Sequence, residues 1–72
     1  MATKLWTVYV DGGKRTWYFE VEGGTAGPKQ VKAVRKLAAD YLKIPIRRVT
    51  ALPATTADHV RAKNVLRPVV SL

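Results

Sequence analysis

Five of the six aromatic residues in this 72-residue chain fall within its first nineteen positions, in two runs on either side of Asp11-Gly12-Gly13. That arrangement constrains the fold more than any other feature. Leu5-Trp6-Thr7-Val8-Tyr9-Val10 and Thr16-Trp17-Tyr18-Phe19-Glu20-Val21-Glu22 are built from β-branched and aromatic residues, the types that fit a pleated surface. The glycines between them supply the positive φ that tight hairpin turns demand. Side chains alternate across a strand, so Trp17, Phe19 and Val21 share one face. Trp6, Val8 and Val10 are expected to join them in the core. Leu5, Thr7, Tyr9 and Tyr18 are then expected on the opposite, outward face.

A hairpin cannot stand alone in water, and the next segment supplies its cover. Gly23-Gly24-Thr25-Ala26-Gly27 is read as a short connection, and Pro28 suits the first position of a helix, where its missing N–H is not needed. From Pro28 to about Leu42 the apolar residues Val31, Val34, Leu37, Ala38, Tyr41 and Leu42 recur at helical spacing on one arc. Ile44-Pro45 ends the helix, because proline disfavours α geometry in the residue before it. Arg47-Arg48-Val49-Thr50-Ala51-Leu52 reads as a third strand. Thr55-Thr56-Ala57-Asp58 has a threonine cap and an acid in the first turn, and predicts a short helix running to about Lys63. Val65–Leu72 reads as a fourth strand or an extended tail, with Pro68 restricting it to an edge.

The expected fold is therefore a single small α+β domain over residues 1–72, of ββαβ(β) type, with an N-terminal hairpin packed on one amphipathic helix. The expected core is Trp6, Val8, Trp17, Phe19, Val34, Leu37, Ala38, Tyr41 and Val49. Without cysteine, neither a disulfide nor a thiolate-held metal can staple so short a chain, and the hydrophobic core must suffice. Apolar runs are too short to span a bilayer. No secretory leader pattern is visible at the N-terminus, so the expected setting is cytoplasmic.

Charge is distributed unevenly. Residues 1–22 balance Lys4, Lys14 and Arg15 against Asp11, Glu20 and Glu22, whereas the remainder carries ten Lys and Arg against Asp40 and Asp58, so the net +8 lies entirely beyond residue 22. On the helix, Lys29, Lys32, Lys36 and Lys43 form a stripe opposite the apolar arc, with Arg35 at its flank. Arg47 and Arg48 continue it, and Arg61, Lys63 and Arg67 lie further on. Like charges at such spacing repel. An uncompensated stripe is what binding to a phosphate backbone requires, although a helix must also present some polar face to water. Tyr9 and Tyr18 form a second candidate site, able to stack bases or to serve as a protein-binding anchor, unless the C-terminal segment covers them.

The residues offer little for catalysis. Asp58 and His59 are sequence neighbours whose side chains diverge on a helix, and the single serine, Ser71, lies at the tail. No constellation of nucleophile, base and orienter is available, and the scattered acids and one imidazole match no zinc or calcium spacing. Gly12-Gly13-Lys14 and Gly23-Gly24-Thr25 lack the phosphate-loop spacing. No enzyme activity, cofactor or metal is expected.

Gly13-Lys14, Glu20-Val21-Glu22, Val31-Lys32-Ala33, Ile44-Pro45, an arginine before the third strand, and Thr55 or Thr56 with Asp58 follow one another in an order that resembles the ubiquitin-like β-grasp family. The resemblance implies a last strand in the centre of the sheet and a recognition patch centred on Tyr9, Thr50 and Val70. The sequence ends Val69-Val70-Ser71-Leu72 without a diglycine tail, so what the resemblance implies is an interaction domain, not a conjugated modifier or sulfur carrier. The hairpin and helix also look broadly like small DNA-binding domains of recombinases. Two expectations of function result. One is a nucleic-acid or ribonucleoprotein binder using Lys29, Lys32, Lys36, Lys43, Arg47 and Arg48. The other is a protein-interaction or assembly module, of phage or mobile-element origin, using the tyrosine face or a sheet edge.

Overall fold

Backbone pairing begins where the aromatic runs predict it. The computed structural model describes residues 3–23 and 28–71. Strands β1 (Thr3–Val10) and β2 (Arg15–Glu22) form an antiparallel hairpin in which Trp6 lies opposite Phe19 and Val8 opposite Trp17. Asp11 and Gly12 have φ of 55° and 69°, and the Gly13 N–H donates to the Val10 carbonyl at 3.2 Å. Positive φ at both central positions is the demand of a type I′ turn, whose twist matches that of the strands.

Helix α1 (Pro28–Leu42) covers one face of this hairpin. Val34, Ala38 and Ala39 meet Trp6, Val8, Val10, Phe19 and Val21, together with Val49 and Ala51 from the next strand. Trp17, Val31, Leu42, Ile44 and Val70 pack around the rim of that cluster. The buried arc of α1 is rotated toward Ala39 relative to the expected one, which leaves Leu37 half-buried. Tyr41, expected in the core, is 50% exposed for the same reason. Its ring still meets Phe19 edge-on, with centroids 5.4 Å apart and planes at 87°, a favoured aromatic geometry.

The end of α1 is closed by its own backbone. Ile44 N–H donates to the Ala39 carbonyl at 3.1 Å and Lys43 N–H to the Asp40 carbonyl at 3.3 Å, while Lys43 adopts a left-handed φ of 58°. This is the paired-bond closure of a Schellman motif, with Ile44 returning to the core beside Ala39. Arg47 and Arg48, expected to open the third strand, lie instead in a single 3-10 turn, Ile46–Arg48. The Arg48 N–H donates to the Pro45 carbonyl at 3.0 Å, and the Arg48 carbonyl accepts from Asp11 N–H at 2.9 Å. Strand β3 (Val49–Pro53) starts only then, antiparallel to β1 with Val10 opposite Val49.

Helix α2 (Thr56–Ala62) has the expected cap. Thr55 Oγ1 accepts from Asp58 N–H at 3.2 Å, and Thr55 N–H donates to Asp58 Oδ2 at 3.0 Å, a reciprocal capping box. Ala62 then packs on Leu5 and Tyr18, with Ala54 alongside. The face expected to be outward is thus partly covered, and Leu5, Thr7 and Tyr18 are buried. Strand β4 is confined to Val69–Ser71, shorter than the segment from Val65 onward suggested, and it runs parallel to β2. Pro68 lies just before it and uses its carbonyl to accept from Glu20 N–H at 2.9 Å. The sheet order β3-β1-β2-β4 places this strand at an edge, as a proline without a ladder donor requires. A ubiquitin-like resemblance implies a central position for the last strand, and the sheet differs in this respect. The architecture is a small α+β domain with a four-stranded mixed sheet and two helices, of the ββαβ type.

Candidate nucleic-acid interface

Burial of Val31, Val34, Ala38 and Leu42 against the sheet turns the opposite side of α1 to solvent. Lys32 and Lys36 are exposed there, one helical turn apart, and Lys43 is exposed at the C-terminal end. Arg47 is exposed in the 3-10 turn that follows. None of these four has an ion-pair partner among the described residues, and Asp40, although close in sequence, forms no such pair. The side chain of Lys29 lies outside the described residues, as do residues 24–27 of the connecting segment.

Other cations from the same half of the chain are occupied. Arg48 makes a bidentate contact with Asp11, Nε to Oδ1 and Nη2 to Oδ2, both at 2.6 Å. Hydrogen bonding from this guanidinium lowers the Asp11 pKa, and Arg48 is a lock between hairpin turn and 3-10 turn before it is a phosphate ligand. Arg35 Nε donates to the Val49 carbonyl at 2.7 Å and its Nη2 to the Ile46 carbonyl at 3.2 Å, so this residue ties α1 to the start of β3. Arg67 Nη1 donates to the Ala62 carbonyl at 3.2 Å, and its Nε lies 4.0 Å from Glu20 Oε1. Arg61 is 3.9 Å from Asp58.

The tyrosine pair does not survive as a stacking platform. Tyr18 is only 8% exposed, beneath α2 with Leu5 and Ala62. Tyr9 is half-buried and lies opposite Thr16 on one side and Thr50 on the other, so the two tyrosines are diagonal and not directly paired. On this sheet face Leu52 stays half-exposed.

A concavity missed in the sequence lies at the hairpin-turn end of the molecule, with a volume of about 180 Å³, lined by Val10, Asp11, Arg15, Trp17, Leu42, Ile44 and Arg48. The signal for it was available in the alternation: Arg15 and Trp17 share the parity of the α1-facing residues, and Arg15 lies opposite Val10. Here α1 has ended and Ile44 has turned inward, so Trp17 is left only partly covered.

His59 is exposed on α2, while the neighbouring Asp58 is committed to the Thr55 cap, whose backbone N–H lowers its pKa. Among the described residues no three His, Cys, Asp or Glu side chains gather as metal ligands, and no helix is long and apolar enough to cross a membrane. In comparisons with protein families, curated proteins and solved structures, no family model, curated protein or solved structure matches the chain.

Proposed function

We propose that this domain is a non-catalytic module that binds the phosphate backbone of nucleic acid through the outer face of α1 and the turn beyond it. The observation that carries the reading is the contrast among its cations. Arg35, Arg48 and Arg67 already hold carbonyls or carboxylates, whereas Lys32, Lys36, Lys43 and Arg47 are exposed without a carboxylate partner. Neighbouring surface cations left unpaired concentrate positive potential locally and attract polyanions. Contacts of this kind position a protein on nucleic acid and carry little sequence information.

The test is a salt titration of binding to random-sequence duplex DNA. Each phosphate contact contributes about 0.9 to the slope of log K against log salt. Lys32→Glu with Lys36→Glu should therefore lower that slope by about 2 and weaken all sequences alike, without loss of folding. Failure of the unmodified protein to bind DNA or RNA at low salt overturns the reading. It would favour the protein-interaction alternative, for which the half-exposed Leu52 beside Tyr9 and Thr50, and the exposed Val60, Val65, Leu66 and Val69, offer apolar surface.

A further inference from the structure

The concavity at the hairpin-turn end differs chemically from the lysine face. Its walls are apolar and aromatic, from Val10, Leu42, Ile44 and the indole of Trp17, and its polar groups are Arg15, Arg48 and Asp11. At about 180 Å³ it is smaller than the roughly 300–1,000 Å³ pockets that hold drug-sized ligands, and its size suits one flat ring system. The bidentate contact to Asp11 uses the Nε donor and one Nη2 donor of Arg48, which leaves three of the five N–H groups of a guanidinium. Arg15 is exposed and has no ion-pair partner among the described residues. Lys14 and Lys43 adjoin lining residues in sequence and are also exposed. The site thus combines an aromatic surface with a surplus of cationic donors around it.

We infer that this concavity takes one unpaired nucleotide, with the base against Trp17 and the adjoining phosphate on Arg15 and the remaining donors of Arg48. The inference rests on the polyanion-binding reading for the choice of ligand, and it narrows that ligand to single-stranded nucleic acid. A base within a duplex is stacked on both faces and cannot enter, whereas an unpaired base offers its π-face to an aromatic side chain. Aromatic stacking of this kind tolerates any base. The basic surround attracts an anionic aromatic ligand, since the one lining carboxylate, Asp11, is paired with Arg48, and the polyanion-binding reading selects a nucleotide over an acidic peptide.

Intrinsic fluorescence separates this site from the lysine face. Trp6 has no exposed surface, whereas Trp17 lines the concavity, so a stacking ligand reaches only the second indole. Thymidine 5′-monophosphate, an oligothymidylate and an abasic strand of equal length are titrated at low salt, beside the duplex titration described above. Oligothymidylate and the mononucleotide should quench emission, and oligothymidylate should bind about tenfold or more tightly than the abasic strand. Trp17→Leu should bring the two strands to equal affinity. Arg15→Gln, at an exposed position, should weaken the mononucleotide several-fold with an unchanged melting temperature. Equal binding of abasic and thymidylate strands without quenching, alongside intact salt-dependent duplex binding, overturns this inference alone. Quenching by thymidylates without duplex binding supports the concavity and removes the lysine face. A stronger response to an acidic tyrosine-containing peptide than to the mononucleotide overturns the choice of ligand, and no response to any polyanion overturns both readings.

Discussion

Lys43 joins the stability of the domain to its proposed binding in one residue. It occupies the left-handed position after α1 with a φ of 58°, where glycine is the usual occupant. For an L-residue that conformation costs about 1–2 kcal/mol, and glycine escapes it while losing about 0.5–1 kcal/mol more backbone freedom on folding. Lys43→Gly should therefore stabilise the domain by about 0.5–1 kcal/mol. In a chain of this size 1 kcal/mol moves Tm by about 4–8 °C, so the expected rise is about 2–8 °C. Lys43→Ala keeps the Cβ in its strained position and should show no such rise. Lysine also interacts favourably with the helix C-terminus by about 0.3–1 kcal/mol at low ionic strength, so the melts belong at moderate salt, where that contribution is screened. Both variants remove the same charge and should lower the salt slope of duplex binding by about 0.9. Thermal unfolding followed by circular dichroism, combined with the salt titration, reads both quantities. A glycine variant that melts no higher than the alanine variant refutes the strain argument, and a slope unchanged in both removes Lys43 from the phosphate face.

Phe19 is 1% exposed at the centre of the main core, between Trp17 and Tyr41. Phe19→Ala should cost about 3–5 kcal/mol, comparable with the stability of a domain this small, and a nearly unchanged unfolding midpoint in urea would contradict the face assignment. The Arg48 guanidinium holds the Asp11 carboxyl below its ordinary value of 3.8. The pair's stabilisation is accordingly present above that ordinary value and is lost as pH falls through the lower folded value. Asp11→Asn should therefore flatten part of the decline in Tm below about pH 4, and Asp58, which is shifted the same way, contributes to what is left. An acid limb unchanged by the substitution would show that the pair does not link the hairpin turn and the 3-10 turn in solution. At neutral pH the loss should be small, because both partners are in part open to water and solvent screens such a pair.

The hairpin, the bounds of α1 and a threonine cap before Asp58 were legible because each rests on local chemistry: alternation, helical spacing and a side chain bonding three residues away. The second face of the sheet was not. Leu5, Thr7 and Tyr18 alternate with the core residues as solvent-facing positions would, and only the return of α2, far along the chain from β1, decides that Ala62 covers Leu5 and Tyr18. The two arginines placed in β3 were misread for a related reason. Arg48 sits next to a β-branched run, yet it closes a 3-10 turn on Pro45 and its side chain pairs with Asp11, thirty-seven positions earlier.

The same long-range contacts decide which charges can act. A sequence gives thirteen cations equal standing and a net +8, and by spacing alone Arg35 and Arg48 belong beside Lys32 and Lys36. Folding divides them. Arginine's planar fork of donors suits carbonyl and carboxylate partners, and Arg35 and Arg48 have found such partners in Val49, Ile46 and Asp11. Lysine's point charge on a flexible stem finds no such partner on an outer helix face. Lys32 and Lys36 therefore remain free to exchange counterions for phosphates, while the arginines hold the turn that shapes the concavity around Trp17. If that division is correct, Arg35→Lys should lower the melting temperature without changing the salt slope, and Lys36→Arg should leave both nearly unchanged. A salt slope reduced by Arg35→Lys in a fully folded protein would mean that the arginine faces phosphate after all.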